Sequence, residues 1–233
     1  MARHDPGVDR VRVVVAASEV RPRTAGDVEA LARATRRAEH GGRVTIEAVT
    51  FKPNRGRDFS SLVTNLARIS PLARPDDWLL VLNRSAWGPL RDGWYGAFVA
   101  QHARHPGVRL CGATINLTDL SGRVPVPPAP HVQSHCFLTT VATLATLLPD
   151  FPGRESTTRE AAINDGEIAL SRRILERGGA ITSLAWPAHC FRIGALEAPD
   201  LPARNIGASV PGLPFRHRRG GDRWRAWVAR WWL

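Results

Sequence analysis

Val11-Arg12-Val13-Val14-Val15-Ala16-Ala17 decides the class of fold. A short β-branched run of this kind has the profile of a buried strand. Thr24, just beyond it, is placed to cap a helix, with Asp27 at the dipole-favoured third position after it. Val28, Leu31, Ala32 and Thr35 then fall on one helical face. Gly41-Gly42 ends that helix, and Val44, Ile46 and Ala48 alternate along a second strand over 43–51. This β-α-β opening predicts an α/β fold with a mostly parallel central sheet and flanking helices.

The same alternation continues outward. Leu62, Leu66 and Ile69 make a helical stripe, and 77–83 reads as a third strand. Trp94, Phe98 and Gln101 predict another helix, and 108–115 a fourth strand. Beyond the proline-rich loop 124–130, residues 132–138 read as a strand and 140–148 as a short helix. Ile168, Ser171, Arg172 and Leu175 are spaced for a helix over 163–177; Gly178-Gly179 stops it before a last strand at 180–186. Two polar loops, 52–58 and 83–89, directly follow predicted strands, and a third polar stretch runs from Asn116 to Asp119. Open α/β sheets bind ligands at the C-terminal ends of their strands, so the candidate chemistry falls where such a fold keeps its site. Residues 1–196 read as the folded domain, 197–221, rich in Pro, Gly and Arg, as a linker, and 222–233 as a separate amphipathic helix.

The chain has 233 residues, enough for one sizeable domain to bury a core without covalent staples. Cys111, Cys136 and Cys190 are odd in number and far apart, which argues against a disulfide framework and against a CxxC zinc site; they read as reduced, packed thiols. The net charge of +11 would attract polyanions such as nucleic acid, anionic lipid or a phosphorylated substrate. Lys52 is the only lysine, however, and arginine with abundant Ala, Gly and Pro is the mark of a GC-rich genome, so part of the charge reflects codon usage. The arginines are scattered and no nucleic-acid recognition motif is found, so no nucleic-acid partner is expected. No run approaches the ~18 apolar residues of a membrane span, and Met1 to Arg12 lacks a signal-peptide apolar stretch. The expected location is cytoplasmic.

Five segments in order carry a resemblance. They are Pro53-Asn54-Arg55-Gly56-Arg57-Asp58, Leu82-Asn83-Arg84-Ser85-Ala86-Trp87-Gly88-Pro89-Leu90, Gly112-Ala113-Thr114, His131-Val132-Gln133-Ser134-His135-Cys136-Phe137 and Glu167-Ile168-Ala169-Leu170-Ser171. Together, over roughly residues 50–185, the chain resembles the rhamnan-synthesis glycosyltransferases, which have the GT-A type nucleotide-sugar-binding fold. The first segment is similar to the family's asparagine-x-glycine-x-aspartate loop. The second is similar to its Leu-Asn-Asp-Ser strand end followed by Gly-Pro. The last is similar to its Glu-x-Gly-Leu-Ser helix.

The resemblance implies transfer of a sugar from a nucleotide-sugar donor to a polysaccharide or lipid-linked oligosaccharide acceptor. It assigns the donor to Asn54, Gly56, Arg57, Asp58, Asn83, Arg84 and Ser85. Asp58 either contacts the nucleoside or caps the helix that begins near Phe59. At Arg84 the family keeps an aspartate that helps to bind metal, and a guanidinium has no acceptor with which to ligate a cation. Three readings stay open there. Arg84 contacts the diphosphate in place of Mg²⁺ or Mn²⁺, other groups hold the metal, or the protein is a degenerate transferase that binds or scaffolds without turnover. An inverting transfer needs a base for the acceptor hydroxyl. Glu167 is the choice and Asp165 its competitor, although acids in a first helical turn also suit the dipole. His131, Gln133 and His135 would share a strand face and reach the acceptor or phosphates. Two histidines without a third ligand make a poor zinc site. Trp87 and Trp94 can stack on a sugar or base, or simply pack.

In the terminal segment Trp224, Trp227 and Trp231 share a helical face flanked by Arg223, Arg225 and Arg230. Such a helix suits the membrane interface; the alternative is docking on the domain or on another subunit. Arg216, His217, Arg218 and Arg219 just before it would add attraction to anionic lipid. The expected partners are therefore the donor, the acceptor, and an anionic membrane surface or a partner protein, with peripheral attachment to the inner face of the membrane.

Overall fold

The structure is a computed structural model describing residues 3–38, 42–117, 130–193 and 210–217. The opening unit forms as its sequence pattern requires. Strands β1 (Val11–Glu19) and β2 (Val44–Pro53) pair in parallel, Val11 opposite Val44 and Val15 opposite Val49. Helix α1 (Ala25–Ala38) lies between them in the chain. Thr24 and Asp27 cap it reciprocally: the Asp27 amide donates to Thr24 Oγ1 at 3.2 Å and the Thr24 amide to Asp27 Oδ2 at 2.9 Å.

Helix α2 (Arg57–Ile69) buries Phe59, Leu62 and Leu66. It is followed by β3 (Trp78–Leu82), β4 (Ala86–Trp87), α3 (Gly96–Arg104), β5 (Val108–Gly112) and β6 (Ile115–Asn116). The chain continues through β7 (His131–Val132), β8 (Cys136–Thr140), α4 (Val141–Ala145) and α5 (Arg159–Ala161). A π-helical turn (Ala162–Ile168) joins α5 to α6 (Ala169–Glu176), and β9 (Ala180–Ser183), β10 (Cys190–Phe191) and β11 (Arg216–His217) complete the described elements.

The main sheet has five strands in the order β10-β9-β5-β8-β3. It is mixed, which corrects the expectation of a mostly parallel sheet. Only β5 and β9 run parallel; β8 lies antiparallel between β3 and β5, and β10 antiparallel to β9. The cause is the connection from β5 to β8. Parallel neighbours need a long crossover, whereas this connection turns back on itself through the antiparallel pair β6–β7.

The sheet has a core on each face, and β8 feeds both by strand alternation. Phe137 packs with Phe59, Leu62, Leu66, Leu144, Leu170 and Ile174. Cys136 and Leu138 pack with Trp94, Phe98, Cys111 and Phe215, and Val11 and Val44 bring the opening unit onto that second core. Burying each large apolar side chain of this kind stabilises the fold by about 1.5–3 kcal/mol. All three cysteines are free thiols, Cys111 and Cys136 buried together, where burial pushes both thiols above their ordinary pKa.

The linker expected at 197–221 is corrected over its described part. Residues 210–217 are bound into the domain: Phe215 is 1% exposed and meets Trp94 edge-on with ring centroids 5.7 Å apart. Strand β11 pairs antiparallel with β4, and the Leu90 amide donates to the Pro214 carbonyl at 2.9 Å. The Pro/Gly/Arg composition conceals Leu213 and Phe215, two apolar residues that suffice to anchor a short strand. The Trp/Arg segment 222–233 lies outside the described residues. Among the described residues no helix is long and apolar enough to cross a membrane.

Candidate functional site

Loop 52–58 leaves β2 and enters α2 through two successive left-handed residues, Gly56 at φ 70° and Arg57 at φ 47°. A side chain at position 56 has no room: a Cβ there would stand 1.8 Å from the Arg154 carbonyl oxygen. Arg57 holds a conformation costly for a residue with a Cβ, and its Nε donates to the Thr157 carbonyl at 3.4 Å. Lys52 is buried beneath the loop and ties it down, its ammonium donating to the carbonyls of Pro53 at 2.7 Å and Arg55 at 3.0 Å. Asn54 is exposed at the outer turn.

Asp58 is not a helix cap. The cap position is Gly56, without a side-chain cap bond, and Asp58 sits in the first turn of α2. Its Oδ2 instead accepts from Asn83 Nδ2 at 2.9 Å. Asn83, at the end of β3, organises the turn after that strand: its Oδ1 accepts from the Ser85 amide at 2.8 Å, and its own amide donates to the His135 carbonyl at 3.1 Å. Arg84 projects from this turn into solvent and makes no ion pair among the described residues. Solvent reaches Asp58 on one side while protein walls its carboxyl on the other. That crowding pushes its pKa up, against the opposing pull of Arg84, the Asn83 hydrogen bond, Arg57 and Lys52. The two polar loops thus meet on one side of the molecule.

Glu167 is carried by the π-helical turn, a conformation frequent at functional sites. Its Oε2 accepts from the Ser134 amide at 2.6 Å, and its Oε1 lies 3.7 Å from His131 Nε2. The turn is fixed by Gly166, where a Cβ would come within 2.2 Å of the Phe59 ring, next in sequence to Asp58. Asp165 does not join Glu167: it is exposed and lines a separate cavity of about 500 Å³ with residues 150–157, Ala161 and Arg173.

The strand expected over 132–138 is two short strands, with Gln133–His135 in a turn between β7 and β8. His131, Gln133 and His135 therefore do not share a face, which corrects that placement. The turn releases the Ser134 amide from sheet pairing so that it can hold Glu167. His131 stays at Glu167, while Gln133 Oε1 accepts from Thr114 Oγ1 at 2.6 Å, tying in the Gly112-Ala113-Thr114 strand end. His135 is 2% exposed, and its ring meets His217 edge-on at 5.4 Å with neither nitrogen hydrogen-bonded among the described residues. Burial first, and His217 second, lower its pKa to about 3. Trp87 is half-buried on β4 beside β11, and Trp94 is core, its indole donating to the His4 carbonyl at 3.1 Å.

Three participants escape sequence reasoning. Lys52 carries a signal in being the only lysine; the Ser134 amide carries none, and His217 is hidden in an apparent linker. A second cavity, of about 360 Å³ between α3 and residues 210–213, has none of Asp58, Asn83, Arg84 or Glu167 in its wall.

Among the described residues the donor set around Asp58 does not fit Mg²⁺ or Mn²⁺. These ions need several oxygen ligands, usually carboxylates and water. Here one carboxylate already engaged by Asn83 is surrounded by Arg84, Arg57 and Lys52, whose charges would repel a divalent ion. The same charges suit a phosphate or diphosphate. No family model matches the chain, and no curated protein matches it.

Proposed function

We propose that this chain is a glycosyltransferase of GT-A-like fold that moves a sugar from a nucleotide-sugar donor to a saccharide or lipid-linked acceptor. The observation that carries the reading is a continuous chain of contacts. Asp58 bonds Asn83, Asn83 bonds the His135 backbone, and Ser134 next to His135 bonds Glu167. Four segments singled out by resemblance thereby form one constellation.

In this reading Asp58 receives the nucleoside and Asn83 and Ser85 hold the loop that meets the diphosphate. Arg84 and Arg57 stabilise the negative charge that grows on the leaving diphosphate as the glycosidic bond breaks, the task a divalent cation performs elsewhere. Lys52 holds loop 52–58 in place. Glu167 takes the acceptor hydroxyl's proton on Oε1, while the Ser134 amide fixes Oε2.

The test is release of nucleoside diphosphate from a panel of nucleotide sugars, with saccharide acceptors, in EDTA and in Mg²⁺ or Mn²⁺. Turnover in EDTA that vanishes in Glu167→Gln supports the reading. Nucleotide binding without turnover under any condition favours the degenerate, scaffolding alternative that Arg84 motivates. Neither binding nor turnover removes both. For the tail, Trp224→Ala with Trp227→Ala should release the chain from anionic vesicles if that segment attaches it to a membrane.

A further inference from the structure

The cavity of about 360 Å³ beside α3 falls within the range of small-ligand sites, about 300–1,000 Å³. One face of α3 lines it with Ala97, Ala100 and Arg104, and Arg91 stands ahead of the helix. Pro187 and Pro211 belong to the other side. Both walls are fixed by packing. The Pro187 carbonyl accepts from Gln101 Nε2 and from His105 Nε2, each at 2.9 Å. The wall at 210–213 is held by the Leu90 amide on the Pro214 carbonyl and by Phe215 in the core.

The acids, rather than the arginines, are segregated. Residues 93–117, 130–149, 177–193 and 210–217 contain no Asp or Glu, although they carry α3, α4 and every strand from β5 to β11. Arg91 and Arg104 are exposed, line the cavity and make no hydrogen bond or ion pair among the described residues. Asp92, next to Arg91, is engaged elsewhere: it accepts from the Asp5 amide at 2.8 Å and lies 3.2 Å from His4 Nδ1. An oxyanion in this cavity therefore meets two guanidiniums and no carboxylate.

Exposed aliphatic residues adjoin the arginines of this region in sequence. Leu90, beside Arg91, is 42% exposed, and Ile193, beside Arg192, is 60% exposed. Arginine next to an exposed aliphatic side chain suits the boundary between lipid headgroups and acyl chains. A single-stranded nucleic acid would call instead for aromatic stacking platforms, and none lines the cavity. His217 lies five residues beyond Gly212, hence within about 17 Å of it. Arg218, Arg219, Trp224 and Trp227 follow in sequence.

We infer that the α3 face docks on an anionic membrane, with a lipid phosphate headgroup seated in this cavity against Arg91 and Arg104. The docking surface belongs to the folded domain, is distinct from the Trp/Arg segment 222–233, and does not depend on transferase activity.

The test is sedimentation of the full chain with phosphatidylcholine vesicles containing rising shares of phosphatidylglycerol. Two double variants that remove the same charge are compared: Arg91→Ser with Arg104→Ser, and Arg36→Ser with Arg68→Ser. Arg36 and Arg68 are exposed on α1 and α2, and α2 packs on the opposite face of the main sheet from α3. The first double should weaken partition to phosphatidylglycerol vesicles about tenfold and the second by less than about twofold, with circular dichroism unchanged in both. The terminal segment is intact in each, so its own contribution cancels. In parallel, soluble dihexanoyl phosphatidylglycerol should shift the amides of Ala97, Ala100, Arg104 and Gly212 saturably. It should bind more tightly than dihexanoyl phosphatidylcholine or inorganic phosphate. No retention on phosphatidylglycerol, equal losses in the two doubles, or inorganic phosphate as tight as the lipid overturns the inference. So does retention on single-stranded RNA that is lost in the first double while vesicle binding is kept.

Discussion

Asp165 and Glu167 are two residues apart and chemically alike, yet the protein treats them oppositely. Glu167 has a side chain 12% exposed, held by the Ser134 amide and near His131. Asp165 is exposed and unpaired among the described residues. The π-helical turn around Gly166, wedged against Phe59, sends them to different sides. A carboxylate fixed by one oxygen keeps the other oriented, whereas a solvated one is not committed to a geometry. Local backbone, more than residue type, sets the two environments apart.

Exchanging the two carboxylates for amides tests this split most severely. Glu167→Gln should lower kcat by about 10²–10⁴, the usual worth of a general base, with circular dichroism unchanged. Asp165→Asn, at an exposed side chain with no partner among the described residues, should leave kcat unchanged. If Asp165→Asn shows the larger kcat loss, the assignments are reversed. Gly166→Ala comes next: the added methyl meets the Phe59 ring and should cost about 1–3 kcal/mol, read as a lower urea midpoint. Phe59→Leu in the same chain should recover part of that loss; full tolerance of the alanine would show that the wedge does not set the turn.

The two histidines sharpen the contrast at smaller scale. His131 lies against Glu167, while His135 is enclosed with its ring nitrogens unpaired among the described residues. Its pKa of about 3 in the folded chain lies below the ordinary 6.5, so the unfolded chain takes up the proton first as pH falls. Stability contributed by neutral His135 is complete above about pH 6.5 and is lost on acidification towards pH 3, at about 1.4 kcal/mol per unit. His135→Leu should flatten this acid limb in urea melts at pH 7, 5.5 and 4 and change stability little at pH 7. An equally steep limb in the variant would place the acid sensitivity elsewhere.

Much of this architecture is legible in short-range patterns. The Thr24–Asp27 cap, the Leu62–Leu66 stripe and the β-branched run at Val13–Val15 each report a local preference that packing reinforces. The antiparallel insertion of β8 is not legible, because β8 is buried on both faces and its apolar run is the same in either direction. Nor is the break at Gln133–His135, whose cause is a tertiary bond from Ser134 to Glu167. In the candidate site, Asp58, Asn83 and Glu167 are legible as polar residues at strand and helix ends. Their convergence depends on Gly56 and Gly166, close-packing positions that a sequence shows only as glycines.

In the proposed reading Asp58 and Arg84 grip a nucleoside diphosphate without a divalent cation. Calorimetric titration of UDP, GDP and dTDP into the full chain, in EDTA and then in Mg²⁺, tests it directly. At least one is expected to bind in EDTA, with Mg²⁺ adding little, and Asp58→Ala and Arg84→Ala should each weaken binding by about tenfold or more, the worth of a charged hydrogen bond. Binding that appears only with Mg²⁺, or that survives both substitutions unchanged, contradicts it.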